Sequence, residues 1–171
     1  MSEEKVRYPE GHAAVSDSWE HDGLKFTVLF VDMHYGPHGG HYCGYVRFPK
    51  RPVREPGYEG IIAYVPVHGG VTYDHQDEDG SMVYGFDCGH YDDDNNPDLR
   101  NPKWLHDECE RMAVAILLAA KYERRYLRNT TNAGKAKALD EYHDELRKTW
   151  GREVNSTEGF GVMINLLSGR L

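Results

Sequence analysis

The hydrophobic pattern of this chain changes its period once. Up to the run Asp92-Asp93-Asp94-Asn95-Asn96-Pro97, apolar residues come in short alternating or continuous blocks; beyond it they recur every three to four residues. A period of two puts successive side chains on opposite faces of a strand, whereas a period near 3.6 keeps them on one face of a helix. Strands first and helices afterwards imply an α+β fold. The expected architecture is an antiparallel sheet of about four to six strands packed on a long helix, with a second, C-terminal helix.

Residues 1–21 are polar and contain Pro9 and Gly11, which reads as a flexible, loop-like arm. The segment 24–31, LKFTVLFV, is rich in β-branched and aromatic residues and reads as a strand. A turn with His34, His38 and His41 among glycines follows, a loop that could take up metal opportunistically. The segment 42–49, YCGYVRFP, is a second strand, and 61–67, IIAYVPV, a third in which Pro66 lacks a ladder donor. Residues 70–73 continue extended structure, 74–81 form an acidic turn, and 82–87, MVYGFD, form the closing strand of a hairpin.

Asn101 is a good N-cap and Pro102 suits the first helical position. The first helix is expected from Pro102 to about Arg128, with Leu105, Cys109, Met112 and Ile116 on its buried face. Asp107, Glu108 and Glu110 early in it, and Lys121, Arg124, Arg125 and Arg128 late, complement the helix dipole. The second helix is expected from about Lys135 to Trp150, stopped by Gly151. The tail, 151–171, is apolar enough to dock as a last strand. The whole chain, 1–171, then reads as a single domain with a β-rich part at 22–94 and two helices at 101–150.

Twenty Lys and Arg against 28 Asp and Glu give a net charge of −8. Phosphate affinity rests on cations, so non-specific nucleic-acid binding is not expected. One local basic cluster, Arg47, Lys50, Arg51 and Arg54, could still meet ligand phosphates. The N-terminal MSEEKVRYPEG has no apolar signal segment and no run reaches membrane-spanning length, so a cytoplasmic setting is expected. Cys43, Cys88 and Cys109 form no close pair, which suits free thiols. The long helix is wide enough in apolar surface to leave homo-oligomerisation open.

The chemistry concentrates between Val67 and Asp94. A hairpin about the acidic turn brings His68-Gly69-Gly70 near Asp87, with His90 just beyond. His68, Asp87 and His90, with Asp92, have the chemistry to hold a divalent metal and activate water for hydrolysis, or to perform acid–base work. Cys88 beside a histidine could serve as a nucleophile, although a strand cysteine is more often a small buried apolar residue. Without chemistry, His68, Gly69, Gly70, Thr72, Asp87 and His90 could line a small-molecule pocket, with Tyr45 stacking and Arg47 near phosphate. In a purely structural use, Asp87 caps a turn and His90 satisfies backbone carbonyls. Two stretches, 75–80 and 92–98, resemble calcium loops but lack the late Glu: Phe86 and Lys103 stand there.

Tyr42-Cys43-Gly44-Tyr45-Val46, the segment Val67-His68-Gly69-Gly70-Val71-Thr72-Tyr73, and Tyr84-Gly85-Phe86-Asp87-Cys88-Gly89-His90 together resemble a family of small uncharacterised proteins encoded by phages and prophages. Its pattern is a CGYV strand, an HGG-[LIV]-T-[YF] segment and a GFDC-x-H segment; Gly89 stands where the family has Ala. The resemblance runs from about Tyr42 to Met112 and implies an accessory role in a host cell rather than a mechanism. The leading expectation is recognition of a small polar, nucleotide-type ligand, such as a host defence signal. The alternatives are a metal-dependent or acid–base hydrolase of a phosphodiester or nucleotide, and an acidic inhibitor that binds a protein.

Overall fold

A computed structural model describes residues 12–153 except Tyr35 and Pro56. Five strands form one sheet: β1 His12–His21, β2 Leu24–Asp32, β3 Gly40–Phe48, β4 Tyr73–Gln76 and β5 Met82–Asp87. Their order is β1-β2-β3-β5-β4, and every neighbouring pair is antiparallel. Two helices follow, α1 Pro102–Arg128 and α2 Asn132–Glu153. This is the α+β arrangement that the change of period implies. No helix among the described residues is long and apolar enough to cross a membrane.

Residues 12–21 are an edge strand rather than an arm. Asp22 and Gly23 both have positive φ, 51° and 78°, the backbone that a two-residue hairpin requires. The Asp-Gly pair is therefore what folds β1 onto β2. Trp19 seals the pairing: its ring stacks on Phe26 at 5.1 Å and on His106 of α1 at 4.1 Å.

The expected strand at 61–67 is also absent. Ile61–Tyr64 is a 3₁₀ turn, and Ile61, Ile62, Val65 and Val67 are all buried. Adjacent buried isoleucines cannot both face one side of a strand, and Pro66 cannot donate to a ladder. The chain instead lays this apolar run against α1.

α1 begins where its caps dictate: the Asn101 side chain accepts the Lys103 N–H at 3.0 Å, and Pro102 opens the helix. Residues 112–119 are buried without interruption, so the helix is covered on all sides at its centre. Phe26, Val46, Phe48 and Phe86 supply sheet cover, while α2 supplies Tyr142, whose hydroxyl donates to the Ala115 carbonyl at 2.8 Å. α2 starts three residues before the expected Lys135. Thr131 caps it by accepting the Gly134 N–H at 3.1 Å. Nor does Gly151 stop it, since the helix runs to Glu153. The expected last strand lies outside the described residues.

Three carboxylates on α1 are buried: Glu108, Glu110 and Glu123. They act as tethers rather than dipole complement. Glu110 accepts from the Trp19 indole at 3.0 Å and sits 3.0 Å from His21 Nδ1. Glu123 accepts the N–H groups of Arg54 and Glu55. Glu108 accepts the N–H of His68 at 2.8 Å. The last of these fixes the loop on which the candidate site is built.

Candidate metal centre

β5 ends at Asp87, and the chain then turns across the end of the sheet through Cys88, Gly89 and His90 into a 3₁₀ turn at Asp93–Asn95. The Val67–Gly70 loop meets this turn from the other side. Gly70 donates to the Val67 carbonyl at 2.8 Å, and Gly69 and Gly70 have φ of 67° and 84°. Side chains rarely adopt that backbone, which is the reason for glycine at both positions. At Gly69 there is a second reason: a Cβ there would lie 2.2 Å from the His90 ring.

His68 and His90 thereby face a shared carboxylate. Nε2 of His68 is 3.0 Å from Asp93 Oδ2, and Nδ1 of His90 is 3.2 Å from the same atom. The His90 backbone N–H donates to that oxygen at 2.9 Å. The two rings meet edge to face, centroids 5.7 Å apart, and Trp104 of α1 backs His68 at 5.9 Å. One ligand atom from each of His68, His90 and Asp93 lies within 4.8 Å of the others. A metal with bonds of about 2.0–2.1 Å in a tetrahedral shell spaces its ligand atoms about 3.3 Å apart. The two His–Asp distances are close to that spacing, and two imidazoles with one carboxylate are a donor set whose chemistry suits an ion such as zinc.

Asp93 is the anchored member. Its side chain is 11% exposed, against 24% for His68 and 39% for His90, so the cluster opens toward solvent on the His90 side. Burial pushes the Asp93 carboxyl pKa up, but hydrogen bonds from His68 and from the His90 backbone, with the charge of His68, outweigh it and leave the group below its ordinary value. The carboxylate form that a cation requires is thus favoured.

Asp87 stands beside the cluster, not in it. Its Oδ1 accepts the Gly89 N–H at 3.1 Å and lies 3.7 Å from His90 Nδ1; its Oδ2 accepts the Thr72 hydroxyl at 2.9 Å. Asp87 and Thr72 therefore hold the turn that presents His90. The hairpin register explains the grouping. Tyr73 pairs with Gly85, which carries Thr72 and Gly70 toward Asp87 and His68 toward His90. The pairing expected from the sequence sets His68 opposite Asp87, three residues nearer the acidic turn than its observed neighbour His90.

One expected contact, Arg47, lies elsewhere, and another, Tyr45, lies beside the cluster. Arg47 pairs with Val83, four residues before Asp87, roughly 13 Å along the strand. Its guanidinium binds Asp77 and donates to the Ser81 hydroxyl at 2.7 Å, which ties it to the acidic turn. Tyr45 packs over Gly85 and meets Tyr73 edge to face at 5.5 Å, one pleat from Asp87. It forms a wall flanking the cluster. The three loop histidines disperse: His34 pairs with Asp32, His38 is 3.1 Å from the Asp94 carbonyl, and His41 packs its ring against Gly89.

Cys88 is buried beneath the turn, and burial raises its thiol pKa far above the ordinary range, with Cys43, Asp93 and Asp87 adding to the effect. A neutral, covered thiol is a poor nucleophile.

Asp93 and Glu108 escaped the sequence reading. Among three consecutive aspartates it favoured Asp92, which sits at φ 70° and is exposed. The available signal was spacing: His90 and Asp93 are three residues apart, and a tight turn in which the Asp93 N–H donates to the His90 carbonyl at 3.1 Å brings i and i+3 together. The fold and the cluster together describe an α+β protein with a His/His/Asp constellation at one end of its sheet. Compared with protein-family models, with curated proteins and with solved structures, the chain matches none.

Proposed function

We propose that this chain is a divalent-metal hydrolase acting on a small phosphodiester or nucleotide-type substrate. The observation that carries the reading is the convergence of His68, His90 and Asp93 with their ligand atoms within 4.8 Å, open to solvent on the His90 side. Three protein ligands and an open position are the arrangement of hydrolytic metal sites, where the ion lowers the pKa of a bound water toward neutrality. The chain's own residues divide the remaining work. Glu108 fixes the His68 backbone, Asp87 and Thr72 hold the His90 turn, and Gly69 leaves room for the His90 ring. The motif resemblance to phage-encoded proteins supports an accessory role in a host cell, with a host signalling nucleotide as a fitting substrate.

The test is cleavage of bis-p-nitrophenyl phosphate and a panel of cyclic nucleotides by protein loaded with zinc or manganese. Cleavage lost in His68→Ala and Asp93→Asn, both still folded, supports the reading; cleavage unchanged in both overturns it. A second reading, capture of a nucleotide without turnover, is favoured by the Tyr45–Tyr73 wall one pleat from Asp87. Saturable binding with no product, weakened in Tyr45→Ala, would select it.

A further inference from the structure

The last three turns of α1 and the segment 51–54 enclose a cleft of about 1060 Å³. It lies far from the histidine cluster: Glu108 and Arg124 are sixteen residues apart on α1, about 24 Å. Its walls carry Arg51, Arg54, Arg124 and Arg128. The sequence shows these as two unrelated runs, one in a loop and one late in a helix. The fold turns both toward one concavity.

Charge bookkeeping favours an anion there. Among the described residues, none of the four arginines has a carboxylate partner. Lys121, also in the cleft, is paired with Glu145 at 2.7 Å. The one lining carboxylate, Glu123, is buried and accepts the N–H groups of Arg54 and Glu55. One negative charge thus faces four unpaired guanidiniums, in a chain whose net charge is −8. Such a concentration of cation runs against the composition of the whole.

Geometry narrows the ligand. Arg124 and Arg128 are i and i+4 on α1 and so project side by side. Arg51 is braced, its Nε donating to the Val53 carbonyl at 2.9 Å, which leaves its terminal N–H groups for a ligand. Planar guanidinium forks match the paired oxygens of phosphate better than ammonium does. The floor is apolar: Val53 and Leu117 are buried, and Leu127 is partly exposed within the cleft. The volume is that of a small-molecule site.

We propose that this cleft binds a small phosphorylated anion carrying a di- or triphosphate and an apolar or aromatic group. The arginines take the phosphates and the Val53–Leu117–Leu127 floor takes the apolar part. The site is separate from the proposed metal centre and stands or falls without it.

Titration calorimetry of the full chain with ATP, AMP, inorganic pyrophosphate and a ten-nucleotide single strand tests the proposal. The expected result is saturable binding of one ATP per chain, at least tenfold weaker for AMP. Binding should weaken tenfold or more in Arg124→Glu and in Arg128→Glu, with unchanged circular dichroism, and stay the same in His68→Ala. Absence of saturable binding by ATP and pyrophosphate overturns the proposal. So does ATP binding indifferent to both charge reversals, or lost in His68→Ala. Tighter binding of the oligonucleotide than of ATP overturns it in favour of a nucleic-acid groove.

Discussion

Asp93 Oδ2 lies 3.0 Å from one imidazole, 3.2 Å from another and 2.9 Å from a backbone N–H. The loop that brings His68 to it contains two glycines that do different jobs. At Gly69 an added methyl meets both a left-handed backbone and the His90 ring; at Gly70 it meets the backbone cost alone, with nothing within 4 Å. The two substitutions therefore separate strain from site geometry. Gly70→Ala should cost about 1–2 kcal/mol of stability, the usual penalty of a left-handed residue, and leave metal affinity intact. Gly69→Ala should cost at least as much and also displace His90, so that metal affinity falls. Urea unfolding and metal titration of both variants check this; equal metal affinity in the two would show that the Gly69–His90 contact is irrelevant to the centre.

At the scale of elements, the buried carboxylates of α1 organise what packs on it. Glu110 holds β1 through Trp19 and His21 across 89–91 residues of sequence. Glu110→Ala strands a half-buried indole N–H, and leaving such a donor unsatisfied costs about 1–3 kcal/mol. A urea midpoint unchanged from wild type would mean that β1 is held by strand pairing and ring stacking alone. Much of this layer was legible beforehand. The cap at Asn101-Pro102 and the 3.6 period from Leu105 placed α1, and the apolar run 82–87 beside the acidic turn placed β5. What failed did so for identifiable reasons. β1 was missed because its residues are polar, as an edge strand allows, while the Asp22-Gly23 turn that defines it was passed over. The 61–67 run is too short and too uniformly apolar for periodicity to separate strand from helical turn. His68, Asp87 and His90 stood out by composition, but Asp93 reaches them through a tight turn at left-handed Asp92, and the partnership of Glu108 with the His68 backbone spans 40 residues. No local pattern encodes such a contact.

At the scale of the whole molecule, burial governs the thiols. Desolvation, then the nearby charge of Asp87, raises Cys43 from an ordinary value of 9.0 to about 12, and burial raises Cys88 and Cys109 as well. A thiol whose pKa is higher folded than unfolded loses its proton first in the unfolded chain. Its contribution to stability is whole below about pH 9 and is lost as pH rises toward 12. Thermal unfolding should therefore show stability falling across that alkaline window. At pH 8 a thiol reagent should leave the native protein unlabelled yet modify Cys43, Cys88 and Cys109 in denaturant. Rapid native labelling of Cys88 would reopen its use as a nucleophile.

Metal stoichiometry tests the proposed His68/His90/Asp93 centre most directly. Untagged protein, stripped with chelator and re-equilibrated with zinc, should retain about one ion per chain by native mass spectrometry. His68→Ala, His90→Ala and Asp93→Asn should each lose it while keeping the native charge-state distribution. No retained ion, or equal retention in all three variants, would contradict the assignment and leave His68, His90 and Asp93 as a structural hydrogen-bond cluster.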